Sequence, residues 1–140
     1  MKLTFDEVVR NINRLWEITV ACYKGVERPD RPTFERLMAR GDVFVYPNEA
    51  IGYALVTPDT SPLLVSLAVM PVNRGCGFGK ELLWEVSTYY RQQGRQEIIL
   101  HCKPDNPAQI LYFKEGYRVT AYLRNYYKPE GDGLEMRKIL

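Results

Sequence analysis

Three glycines on alternate positions, Gly75, Gly77 and Gly79, sit in the run NRGCGFGKELL, residues 73–83, directly before an apolar, helix-forming stretch. Glycines let successive backbone N–H groups converge with no Cβ in the way, and the positive end of a helix dipole favours a negative group there. Arg74 and Lys80 add positive charge, so the chemistry implied is anion binding. A dinucleotide fingerprint requires G-x-G-x-x-G, and counting from Gly75 and Gly77 the third glycine position holds Lys80. A P-loop requires G-x-x-x-x-G-K-[ST], but Arg74 stands where its first glycine belongs and Glu81 follows Lys80. A purely structural turn has no need of three glycines, each of which raises the entropy lost on folding. A cradle for a pyrophosphate fits the pattern.

One further residue carries chemistry. His101, the single histidine, lies in the run EIILHC, and an imidazole that ionises near neutrality suits proton removal. Cys22, Cys76 and Cys102 are odd in number and none forms a CxxC pair, which argues against a disulfide framework and against zinc; no metal is expected. The charge balance, 19 basic against 17 acidic residues, is scattered along the chain, so no concentrated basic face for nucleic acid is indicated. No apolar run approaches the roughly 20 residues of a membrane span, and MKLTFDEVV has acids where a signal peptide has its apolar stretch. The expectation is a cytoplasmic protein with no membrane partner.

The elements that must position these groups follow from periodicity. At 140 residues the expectation is one domain, residues 1–140. TFDEVVRNINRLWEITVACYKG reads as a helix, with a Thr4/Glu7 capping box, Gly25 at its far end, and a stripe of Phe5, Val8, Ile12, Leu15, Trp16, Thr19, Val20 and Tyr23 for burial. GVERPDRP is a loop, and TFERLMARG a short helix capped by Thr33 and ended by Gly41. DVFVY, AIGYALVTP and LLVSLAVMP form an antiparallel meander, because their connections are too short for helices. KELLWEVSTYYRQQG is helical, EIILHC a strand, and PAQILYFKEG a helix with Asn106 as cap and Pro107 at its first position. YRVTAYLRNYY and GLEMRKIL close the chain as two strands. The fold class expected is α/β in the α+β sense, a mixed, mostly antiparallel sheet with a β-α-β crossover and helices on both faces.

LAVMPVNRGCGFGKELL resembles motif A of the GNAT superfamily of N-acetyltransferases, L-x-V-x-P-x-x-[RQ]-x-x-G-x-[GA], through Leu67, Val69, Pro71, Arg74, Gly77 and Gly79. NPAQILYFKEGYR resembles the family's motif B, A-x-x-x-Y-x-x-x-G-[FY], through Ala108, Tyr112, Gly116 and Tyr117. The resemblance implies that acetyl-coenzyme A lies between two diverging strands. Leu67, Ala68 and Val69 would offer backbone groups to the pantetheine arm, and Arg74, Gly75, Cys76, Gly77, Phe78, Gly79 and Lys80 would wrap the pyrophosphate. It also implies Tyr112 as the acid near the departing sulfur. His101 would be the base, as in the branch that acetylates protein N-termini, with Glu97 or a water chain as the next place to look. The family's Asn seven residues before the tyrosine is Asp105 here, and Asn106 comes one position late, so both are assigned to the cofactor side. The family opens with a strand for which residues 1–3 are too short.

RNYYKPEGDGLEM resembles the closing hairpin of the peptide and protein N-terminal acetyltransferases. That implies Tyr126 and Tyr127 as acceptor-site residues, of which strand alternation turns one inward, with Glu27 on the opposite wall. The activity implied is acetyl transfer from acetyl-CoA to a primary amine by direct attack in a ternary complex. The acceptor is a protein N-terminus, a lysine or a small molecule such as a polyamine, amino acid or antibiotic; a non-catalytic coenzyme A-binding module is the remaining alternative. Monomer and homodimer both stay open.

Overall fold

The computed structural model describes residues 1–49, 51–129 and 131–140; Ala50, which opens the expected strand AIGYALVTP, and Glu130, in the last loop, lie outside them. The chain starts with α1, Phe5–Arg10, held by a Thr4/Glu7 capping box in which the Glu7 N–H donates to Thr4 Oγ1 at 3.2 Å and the Thr4 N–H to Glu7 Oε1 at 3.0 Å. The single helix expected from the sequence is two. Asn11 leaves helical geometry at φ −102°, ψ 8°, and its side-chain amide donates to the Glu7 carbonyl at 2.9 Å, competing with the next backbone turn. The second helix, α2, runs over Ile12–Cys22 and buries Leu15, Ile18 and Thr19, while Phe5, placed in the expected stripe, is exposed. Gly25 does not close α2, whose last N–H partner is Tyr23; it opens a 3₁₀ turn, Gly25–Glu27. The next helix, α3, Arg31–Arg40, begins two residues before Thr33. Its cap is Asp30, which accepts the Thr33 N–H at 2.8 Å.

Six strands follow, β1 Asp42–Val45, β2 Gly52–Thr57, β3 Leu63–Val69, β4 Glu97–Cys102, β5 Arg118–Leu123 and β6 Gly133–Ile139, in the spatial order β1-β2-β3-β4-β6-β5. Every neighbouring pair is antiparallel except β3 and β4, which are joined by the crossover helix α4, Phe78–Gln92. The expected mixed sheet is therefore present. A rudiment of the opening strand remains, since Lys2 bridges Phe44 and the Leu3 N–H donates to the Val43 carbonyl at 2.8 Å. Against one face of the sheet α1, α2 and α3 pack on Val43, Val45, Tyr53, Leu55 and Ala68. Against the other, α4 packs Leu82, Leu83, Val86 and Tyr90 on Phe44, Ala54, Val56, Ile98 and Leu100, with Tyr112 of α5, Gln109–Lys114, in the same cluster.

The decisive departure from a regular sheet is at Val65. Between Leu64, opposite Val56, and Ser66, opposite Leu55, β3 carries one residue that β2 does not match, a β-bulge. Pairing with β4 is confined to Leu63 with Ile99 and Leu64 with Leu100. A bulge bends its strand, and beyond this one β3 and β4 diverge. The rest of β3 keeps β2 on one side and has an open edge on the other.

Candidate active site

The opening between β3 and β4 is a cleft of about 1130 Å³. Of the residues singled out from the sequence, Leu67, Val69, Arg74, Gly75, Gly77, Phe78, Gly79, Lys80, His101, Asp105, Asn106, Tyr112, Glu27 and Tyr127 line it. Ala68, Cys76, Tyr126 and Glu97 do not.

The register explains Ala68. The Met70 N–H donates to the Ile51 carbonyl at 2.8 Å, so these two form a hydrogen-bonded pair, and two residues along Ala68 and Tyr53 form the next. Ala68 therefore turns its N–H and C=O to β2, and its side chain is 1% exposed in the core. Leu67 and Val69 point theirs to the open edge. Their carbonyls are met there by side chains: Tyr23 Oη donates to Leu67 O at 3.2 Å, and Cys22 Sγ and Arg74 Nε each donate to Val69 O at 3.2 Å.

At the C-terminal end of β3 the glycine turn leads into α4. Gly75 and Gly77 adopt φ of +78° and +86°, and among the described residues nothing beyond the adjoining ones lies within 4 Å of where a Cβ would project at either. Gly77 is the cap residue and supplies no side chain, so among the described residues the first N–H groups of α4 have no side-chain cap. Free donors, a helix dipole and Lys80 on one rim fit a pyrophosphate. Cys76, between the two glycines, is exposed and outside the cleft.

On β4, Ile98, Leu100 and Cys102 face the core beneath α4, so alternation puts His101 on the opposite face, where it borders the cleft. Its Nδ1 lies 3.0 Å from Tyr126 Oη, and its Nε2 is 3.7 Å from a Glu135 carboxylate oxygen, an electrostatic rather than a hydrogen-bonding distance. Glu135 also receives Arg137 Nε at 2.9 Å and Thr120 Oγ1 at 2.8 Å, and the Arg137 hydrogen bond first, then Thr120, holds its carboxyl below the ordinary glutamate value. Glu97 sits on the same face near the start of the strand, bound to Arg137 at 2.6 Å and Ser61 at 2.9 Å, away from the cleft.

Tyr112, on the α5 side, is 9% exposed; its hydroxyl has no hydrogen-bond partner among the described residues. Burial pushes its phenol well above the ordinary tyrosine range, and the neighbouring Tyr23 reinforces the shift. Asn106 does not cap α5 directly, because that helix begins at Gln109. Its Oδ1 accepts the Ala108 N–H at 2.9 Å in the turn before it.

Tyr126 and Tyr127 are not on a strand. β5 ends at Leu123, and Asn125 at φ +56° turns the chain, so alternation does not govern the pair. Tyr126 packs on His101 with ring centres 4.9 Å apart, and Tyr127 enters the cleft, where burial pushes its phenol up to about 12. Across from them Glu27 is bound by Lys103 Nζ at 2.8 Å, which also lies 6.0 Å from the Tyr127 ring centre. Arg28, next to Glu27 in the chain, donates to the Val20 and Tyr23 carbonyls at the end of α2. Tyr23, Ser66, Lys103 and Glu135 were not anticipated from the sequence. Only Glu135 had a signal there, an acid on the closing strand, and the register places it opposite His101.

Residues 12–117 match the family model described as Acetyltransferase (GNAT) family. Over 86 residues the chain is 36% identical to a [Ribosomal protein bS18]-alanine N-acetyltransferase of Haemophilus influenzae, a match covering 60% of this chain and 59% of that protein. Among solved structures, the ribosomal-protein-S18-alanine N-acetyltransferase from Escherichia coli superposes with a TM-score of 0.82 at 20% identity, over 99% of this chain and 91% of that one. A GNAT family acetyltransferase from Elizabethkingia anophelis with acetyl-CoA bound superposes with a TM-score of 0.74 at 20% identity, over 89% of this chain and 90% of that one. At those identities the structures show a shared fold.

Proposed function

This chain belongs to the GNAT family of acetyltransferases, and on that premise we propose that it transfers the acetyl group of acetyl-CoA to a primary amine, the α-amine of a protein or peptide. One observation carries the reading. The separation of β3 from β4 after Leu64 gathers a glycine-bounded helix N-terminus, an open strand edge, Tyr112 and His101 around a single cleft.

Bound in that cleft, acetyl-CoA would supply the activated acyl carbon. The N–H groups at the start of α4 and Lys80 would hold its phosphates, and the Leu67 and Val69 N–H groups would align its amide arm along the open edge. His101 removes the proton that an ammonium must lose before its nitrogen can attack. The new C–N bond forms as the C–S bond breaks, so one ammonium and one thioester give an amide, a thiol and one proton. A phenol raised by burial keeps its proton at neutral pH, so Tyr112 acts as a hydrogen-bond donor to the departing sulfur. Tyr127, Tyr126 and the Glu27–Lys103 pair form the wall an acceptor backbone would meet.

The deciding measurement is thiol release with a panel of amines. Peptides with free α-amines should be acetylated in preference to spermidine, free amino acids and aminoglycosides. Preference for any of the small amines overturns the acceptor, and thermal stabilisation by acetyl-CoA with no thiol release from any amine overturns catalysis.

A further inference from the structure

A chain of hydroxyl groups runs from the interior of α2 to the cleft, and proton counting fixes its direction. Thr19 Oγ1 donates its one proton to the Leu15 carbonyl at 2.8 Å, so toward Tyr53 Oη, also at 2.8 Å, it can only accept. Tyr53 thus donates to Thr19. Ser66 Oγ, 3.3 Å from Tyr53 Oη, donates in turn, which leaves Ser66 as acceptor toward Tyr23 Oη at 2.8 Å. The remaining proton, that of Tyr23, is shared between Ser66 Oγ and the Leu67 carbonyl, both acceptors of the protein itself. Burial raises the Tyr23 and Tyr53 phenols, so every group in the chain stays neutral and the direction holds across the neutral range.

Tyr23 lines the cleft with its proton already committed to Ser66 and the Leu67 carbonyl. What it presents to the cleft is a lone pair, an acceptor for an N–H. Two kinds of N–H come within reach of such a cleft, that of an amide arm lying along β3 and that of an incoming amine. Position separates them. Ser66 and Ala68 turn their side chains to the face covered by α2, and His101 occupies the same face of β4, opposite the face carrying α4 and α5. Tyr23 ends α2 on that face, next to the Gly25–Glu27 turn. Its oxygen thus shares the side of the sheet from which His101 acts, and the glycine turn belongs to the other.

We propose that Tyr23 is an amine-orienting residue, its phenol oxygen accepting one N–H of the acceptor so that, once His101 has taken a proton, the nitrogen lone pair is aimed at the acyl carbon. This rests on the acetyl-transfer reading. The oxygen has no proton to donate outward, so it binds the amine and has no acid role.

The test is Tyr23→Phe, which keeps the ring and removes the oxygen, assayed with the α-amine peptide that the wild-type protein turns over fastest. A hydrogen bond to a charged group contributes about 1.5–3 kcal/mol, so KM for the peptide should rise about tenfold or more. Peptide binding to the CoA-saturated protein, followed by calorimetry, should weaken in parallel, while the acetyl-CoA Kd stays within about twofold. Unchanged peptide KM and binding overturn the assignment. So does a weaker acetyl-CoA Kd with unchanged peptide binding, which would give the oxygen to the cofactor's amide arm. A wild-type protein that acetylates no amine sinks the acetyl-transfer reading itself and this inference with it; an active wild type matched by its variant sinks the inference alone.

Discussion

Tyr112 and His101 approach the cleft from opposite faces of the sheet, and their surroundings prepare them for different work. Tyr112 sits among apolar neighbours with no partner for its hydroxyl among the described residues, so Tyr112→Phe removes a donor with little change in packing. Turnover should fall roughly 10²-fold, the size of effect seen when one positioned donor or acid is lost, while stabilisation by acetyl-CoA is retained. Wild-type turnover in that variant would take Tyr112 out of the mechanism. For His101, bordered by Tyr126 and the Glu135 carboxylate, the pH profile is the sharper readout. A base must be deprotonated to act, so the wild-type rate should rise with pH along an acidic limb that His101→Gln abolishes. A limb that persists unshifted in the variant assigns the base elsewhere. Both residue types could be read from the sequence; what surrounds them could not. Glu135 stands 34 residues from its neighbour His101, and Lys103 stands 76 from its partner Glu27; these pairs meet only through strand register and the path of the Gly25–Glu27 turn, which also follows Tyr23.

The glycine turn was legible as an element, because its backbone adopts a geometry that glycine alone adopts freely, and its anion-binding role is open to a direct test. Gly77→Glu tests it. Left-handed geometry costs a residue with a Cβ about 1–2 kcal/mol, and the open space beside Gly77 accommodates the side chain, so the protein should remain folded with a modestly lower Tm. Its carboxylate would stand where the phosphates bind, so the thermal shift with acetyl-CoA should vanish; a shift of wild-type size refutes the cradle. Element ends were less legible, for a common physical reason. Asp30 rather than Thr33 caps α3, since Asp30 lies one cap position ahead of a Pro-containing first turn and both residues are good caps in isolation. The long first helix breaks at Asn11, a residue whose side chain rivals the backbone for the Glu7 carbonyl. β-propensity likewise carried the expected strand through Tyr126 and Tyr127, although tyrosine favours strands for its packing and not for its backbone. With the strand ended at Leu123, both tyrosines reach the site region, one on His101 and one in the cleft.

At the scale of the molecule, element order and sheet class followed from periodicity and short connections, because a β-α-β crossover among hairpins leaves few other arrangements. The feature that opens the cleft had no such signature. Val65 is one apolar residue in an apolar run, and nothing in LLVSLAV distinguishes a bulge from regular pairing. Yet the bulge sets the parity of everything after it: Leu67 and Val69 address the cleft with backbone groups, and Ala68 addresses β2. Hydrogen exchange tests that parity one amide at a time. Without ligand the Leu67 and Val69 N–H groups, on the open edge, should exchange much faster than the Ala68 N–H, which is paired to Tyr53 in the middle of the sheet. Saturation with acetyl-CoA should slow exchange at the two edge amides and leave Ala68 unchanged. If Ala68 is the amide that gains protection, the register beyond Val65 is the reverse of the one described, and the open edge with its backbone donors belongs to the even-numbered residues.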